Sequence, residues 1–119
     1  MKWFAVIALA LPAFAQTAWE SHLLGNPADV ERPTQSGFVL MGGGKDVDEA
    51  FRWLIERSGG GDIVVLRSSG TAAYNPYILG LGAADSVETI ILRDRSASSD
   101  PAVLDKVRRA EALWISGGD

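Results

Sequence analysis

Apolar positions along this chain follow two rhythms in turn. Short apolar runs, bounded by Gly, Ser or charged residues, occur at Gly37–Met41 (GFVLM), Asp62–Arg67 (DIVVLR), Val87–Arg93 (VETIILR) and Ala112–Ser116 (ALWIS). Their lengths and β-branched content predict strands, and the first reads as one covered on both faces. Between them the period changes. Val47, Ala50, Phe51, Leu54 and Ile55 fall at i, i+3, i+4, i+7 and i+8, one face of a helix. Asp46 is expected to cap that helix, with Glu49 completing a capping box and Asp48 pairing with Arg52 on the wet side. Ser58 and Gly59–Gly61 end it. A short helix is expected at Tyr77–Ala83, capped by Asn75 with Pro76 at its first position. Asp100 and Pro101 open the last helix, whose buried stripe is Val103, Leu104, Val107 and Ala110, with Asp105 and Arg109 paired on the surface.

Strand and helix thus alternate, which implies βαβ crossovers, a mostly parallel sheet and a three-layer αβα arrangement stopping after the fourth strand. At 119 residues the chain is bounded to one domain. Residues 36–119 form it, and 16–35 read as an extended lead-in with Gly25, Asn26, Pro27 and Pro33 among scattered charges. His22, the sole histidine, lies in that lead-in and reads as a solvated side chain rather than a base.

Residues 1–15 have the layout of a cleaved export signal. Lys2 is the positive n-region, Trp3–Leu11 the apolar stretch, and Ala13-Phe14-Ala15 the small-x-small cleavage site. The apolar run is well short of the roughly 20 residues that span a bilayer, so no membrane anchor is expected. Cleavage near Ala15 implies a periplasmic or secreted product. A formal charge of −4 argues against nucleic acid as a partner. The chain has no cysteine, which excludes disulfides, thiolate catalysis and zinc–cysteine sites. Its acidic residues show no metal-ligand pattern, so neither metal nor cofactor is expected.

The loops after the strands carry the candidate chemistry. Ala112–Ser116 runs into Gly117-Gly118-Asp119, and glycines at the carboxyl end of a strand can aim backbone amides at a developing negative charge. Gly42-Gly43-Gly44 follows the first run, but with Lys45 it fits neither G-x-G-x-x-G nor the Walker pattern. Arg67 ends the second run where a ribose-binding acid would stand, so a nucleotide or flavodoxin-like cofactor role is not expected. Ser68-Ser69-Gly70-Thr71 is a polar loop able to line a pocket. No serine sits in a G-x-S-x-G elbow.

Together, the GGG after the first run, the polar loop after the second and W-I-S-G-G-D at Trp114–Asp119 resemble the cyanophycinase-like members of the S51 serine peptidase family. The resemblance covers that family's amino-terminal half, from about Gly37 onward. It implies the class I glutamine amidotransferase-like sheet and an exported serine-type hydrolase that cleaves an amide bond in a peptide or dipeptide-like substrate. It also implies that Gly117, Gly118 and Asp119 form the oxyanion and substrate site, with Gly42, Gly43, Gly44, Ser68 and Ser69 as pocket wall. The nucleophile, its histidine and its acid would then lie beyond Asp119, and this chain alone would be an inactive fragment. The competing expectation is a secreted module on the same sheet that binds a small molecule or peptide without covalent chemistry.

Overall fold

The computed structural model describes residues 7, 10 and 17–117. Of the expected export signal only Ile7 and Ala10 fall within them, and Gly118 and Asp119 lie outside. Seven principal elements follow in order: strand β1 (Trp19–Gly25), helix α1 (Asp48–Arg57), β2 (Asp62–Arg67), α2 (Tyr74–Leu81), β3 (Ser86–Leu92), α3 (Pro101–Arg109) and β4 (Ala112–Ile115), with a 3₁₀ turn at Arg95–Ser99 before α3. The four strands form one mixed sheet in the order β1-β3-β2-β4. β2 pairs in parallel with both β3 and β4, while β1 runs antiparallel along β3. The protein is an α/β fold whose sheet is mostly parallel.

Strand alternation explains the layers. Ile63 and Val65 on β2 and Val87 on β3 face one way, into a core with Phe51 and Ile55 of α1 and Ile78 of α2. Val64 and Ile90 face the other way, against Val103, with Leu66, Leu92, Val107 and Ala110 around them. Helices thus cover both faces, and β2 and β3 are buried on both sides. That burial is why their sequences read as continuous apolar runs rather than alternating ones. α3 begins as its sequence requires. The Asp100 carboxylate accepts from the Ala102 amide (2.8 Å), Pro101 occupies the first turn, and Asp105 pairs with Arg109 at 2.9 Å.

Several expectations are corrected. Gly37–Met41 does not form a strand: the segment runs beside β4 without pairing, and Phe38 and Leu40 are 94% and 96% exposed. Both neighbour positions of β2 are already filled, by β3 and β4, so this run has no central place. In its stead, part of the lead-in joins the sheet as β1. The Trp19 indole donates to Asp100 (2.8 Å), and the buried Asn75 side chain donates to the His22 carbonyl (2.8 Å), holding β1 against the fold.

The remaining corrections concern helix starts and one surface pair. Asp46 does not cap α1. Val47 occupies that position with no side-chain cap, because Asp46 accepts from the Tyr74 hydroxyl (3.2 Å) and Asp48 from the Tyr77 hydroxyl (2.6 Å). With Asp48 so engaged, Arg52 pairs with Glu49 (3.8 Å). Asn75 likewise is no cap. α2 starts three residues before the expected Tyr77, at Tyr74, and Asn75 is buried within its first turn, accepting from the Thr89 hydroxyl (2.7 Å). Pro76 is tolerated there because first-turn amides need no helical partner.

Candidate functional site

In an open α/β sheet, ligands bind beyond the carboxyl ends of parallel strands, where loops diverge. Here those ends belong to β3, β2 and β4, of which β2 and β4 lie side by side at the edge. Leu66 is level with Ile115, and the Ser116 amide donates to the Leu66 carbonyl (3.0 Å), extending the parallel ladder by one step. Arg67 and Ser116 are therefore lateral neighbours as their strands end. β2 continues into the exposed Ser68-Ser69-Gly70 loop and β4 into the exposed Gly117.

The structure brings some expected site residues together and not others. Ser68, Ser69 and Gly117 share this end of the sheet. Nothing lies within 4 Å of the point where a side chain on Gly117 would begin, so its backbone faces open space. Gly117 is not among the glycines with positive φ, so open space rather than a left-handed turn is its distinguishing feature. Gly42, Gly43 and Gly44 are exposed and likewise meet nothing within 4 Å. Gly118 and Asp119 fall outside the described residues.

Beneath the loops is a cluster that sequence reading did not single out. Phe51 meets Trp114 edge-on at 4.7 Å between ring centroids and Tyr77 at 5.2 Å. Tyr74 stands 6.3 Å from Trp114, and the Arg67 guanidinium lies over the Tyr74 ring at 5.2 Å. Arg67 Nη1 donates to the Thr71 carbonyl (2.7 Å), which shapes the loop, and Gly70 takes φ 94° beside the guanidinium. Burial raises the pKa of both tyrosines, and the Asp46 and Asp48 carboxylates that accept from their hydroxyls raise it further. Both phenols are neutral donors at neutral pH. The available signal was alternation: Arg67 is two residues past Val65, and Ser116 two past Trp114, so all three polar groups lie on the face toward α1 and α2.

Among the described residues, four buried side-chain polar atoms lack a hydrogen-bond partner, and three are here: Arg67 Nε, Trp114 Nε1 and Ser116 Oγ. Native interiors rarely leave such groups unpaired, so their gathering at the carboxyl end of the sheet makes this the candidate site.

Among the hollows elsewhere in the described residues, two adjoin the sheet. One of about 270 Å³ opens at the amino end of the strands near Asp62, Ser86, Glu88 and Lys106, where those side chains are already bonded to one another. The other, about 590 Å³, lies between β4 and the Thr34–Met41 segment and is mainly apolar. No group of three or more metal-ligating side chains occurs among the described residues, and no helix there is long and apolar enough to cross a membrane. His22 hydrogen-bonds Glu20 (3.4 Å) on β1, the sheet edge opposite β4, and is remote from Ser68, Ser69 and Ser116 in strand order. Comparison with protein-family models, curated proteins and solved structures finds no match. The fold and the cluster thus define an α/β sandwich with a candidate ligand-binding end, and its activity is a matter for proposal.

Proposed function

We propose that this chain supplies the amino-terminal part of an exported, cyanophycinase-like serine hydrolase that cleaves an amide bond in a peptide or dipeptide-like substrate. The observation that carries the reading is the run Trp114–Asp119. Its described part, Trp114–Gly117, closes β4 at the carboxyl end of the sheet, beside the polar loop after β2, with open space at Gly117.

In this reading a serine hydroxyl attacks the amide carbonyl carbon while a histidine takes its proton. The tetrahedral oxyanion is held by backbone N–H groups of Gly117 and Gly118, with Asp119 beside the substrate. The C–N bond then breaks as the imidazolium protonates the leaving amine, and water hydrolyses the acyl-enzyme. No metal or organic cofactor takes part. Within Met1–Asp119 the sole histidine is His22, on the far edge strand, so serine, base and acid come from other parts of the gene product. Ser68, Ser69 and Gly42–Gly44 form the substrate wall, and cleavage near Ala15 releases the protein outside the cytoplasm.

The coding sequence after the Asp119 codon tests this directly, together with fluorophosphonate labelling of the expressed gene product. A G-x-S-x-G elbow within about one strand–helix unit, and one labelled serine there, are expected. A product with neither is no serine hydrolase, and peptide binding by it would assign the non-covalent module instead. Mass analysis of the exported protein is expected to find Gln16 at its amino terminus.

A further inference from the structure

The three unpaired donors at the carboxyl end of β2 and β4 share features that shape complementarity alone does not explain. All are hydrogen-bond donors, one belongs to a permanent cation, and they come from two strands that converge on one face. We propose that Arg67, Ser116 and Trp114 form a carboxylate-binding subsite, in which the Arg67 fork takes the anion and the Ser116 hydroxyl and Trp114 indole N–H complete its hydrogen bonds.

Four observations support the assignment. First, Arg67 has no acidic partner among the described residues; every ion pair there involves another cation. A half-buried guanidinium without a counter-charge is poised for an external anion. Second, it is pre-oriented: Nη1 is tied to the Thr71 carbonyl (2.7 Å) and the planar group lies over the Tyr74 ring, so little freedom is lost on binding. Third, the Asp46 carboxylate, which accepts from the Tyr74 hydroxyl (3.2 Å), makes no ion pair with Arg67. Fourth, backbone rather than a side chain stands beside the guanidinium. Ser68-Ser69-Gly70 is exposed, and Gly70 has positive φ where any side chain would strike Arg67 Nη2.

A carboxylate fits this donor set better than a phosphate. It is planar, carries one charge, and matches the two parallel N–H bonds of a single arginine, whereas a phosphate dianion calls for more cationic groups than the one present. The subsite stands apart from the hydrolase proposal, since binding here needs no nucleophile. A failed hydrolase assay leaves it untouched, and a failed binding experiment leaves the hydrolase reading to its own test.

The test is a titration of the chain with sodium acetate at constant ionic strength, followed by ¹⁵N NMR of the Arg67 Nε–H and the Trp114 indole N–H, with sodium chloride as control. Acetate is expected to shift both signals saturably with a dissociation constant on the order of 1–10 mM, as suits a ligand of so few atoms. Arg67→Lys keeps the charge but loses the fork and is expected to bind at least about tenfold more weakly. Ser116→Ala, which leaves the charge in place, is expected to weaken binding by about threefold to tenfold. Absence of a saturable shift in the parent chain overturns the subsite, as does an equal response in Arg67→Lys. Unchanged amide spectra elsewhere establish that each variant is folded.

Discussion

The two ends of the sheet are finished differently. At the amino end of the parallel strands nearly every polar group is spoken for. The Asp62 carboxylate accepts from the Val30 amide (3.1 Å) and the Ser86 hydroxyl (2.5 Å), while the Asp62 amide donates to Glu111 (2.7 Å) and the Glu111 amide to the Asp62 carbonyl (2.9 Å). Among the described residues, only Asp85 Oδ2 is a buried side-chain atom without a partner there. At the carboxyl end Arg67, Trp114 and Ser116 each keep a buried donor without a partner. An unmade buried hydrogen bond costs about 1–3 kcal/mol. Carboxylates pin one end of the sheet while donors stay open at the other, the arrangement expected if the proposed recognition takes place at the second.

The largest effect separating the two ends is expected from Asp62→Ala. It strands the Val30 amide and Ser86 hydroxyl together, and a loss of about 2–3 kcal/mol in urea unfolding is expected. Acetate binding in the folded fraction should be unchanged. An equal loss of binding would mean that the ends are coupled.

Ser116→Ala removes a polar atom that bonds to nothing, so stability is expected to hold within about 0.5 kcal/mol or to rise by up to about 1 kcal/mol. A destabilisation as large as that of Asp62→Ala would show that Ser116 is a structural bond like those at the amino end.

The acid limb sharpens the account of the structural contacts. The Trp19 indole N–H, foremost, and the α3 amides hold the Asp100 carboxyl below its ordinary value of 3.8. The folded state therefore gains from the ionised form above about pH 3.8. That gain is lost as the pH falls through the lowered value. Urea midpoints measured against pH are expected to fall over this range, and the fall should be shallower in Asp100→Asn.

The smallest effect lies at alkaline pH. Tyr74 and Tyr77 are the chain's only tyrosines, and burial raises both above the ordinary value of 10. Ultraviolet titration of the folded protein should find no phenol ionising at its ordinary pH. Stability should decline as the pH rises past 10, where the unfolded chain releases protons that the folded chain keeps. A normal titration would place the tyrosines in water and dissolve the buried cluster.

What could be read in advance divides along a physical line. The strands Asp62–Arg67 and Ala112–Ser116, the stripe of α1 and the Asp100-Pro101 start of α3 were legible because each depends on local spacing, and the folded chain keeps those local choices. The cluster at Arg67, Tyr74 and Trp114 was only half legible: alternation put the side chains on one face, but no spacing rule says that β4 will lie beside β2. The caps failed for a related reason. Asp46 and Asp48 suit a helix start, yet the tyrosines of α2 compete for the same carboxylates once the helices meet.

By itself the sequence determined that the chain is α/β, where its helical faces lie, and that polar or glycine-rich loops follow its strands. These are properties of neighbours along the chain, and a period of two or of 3.6 states them fully. Only the tertiary structure decided which strands pair. It drew Trp19–Gly25 from the lead-in onto the edge of β3, left Gly37–Met41 outside the sheet, and set Arg67 beside Ser116. Strand partnership is a choice among segments of similar local preference. It is settled by distant contacts such as Trp19 to Asp100 and Asn75 to the His22 carbonyl, which join residues 81 and 53 positions apart and leave no mark in the spacing of either.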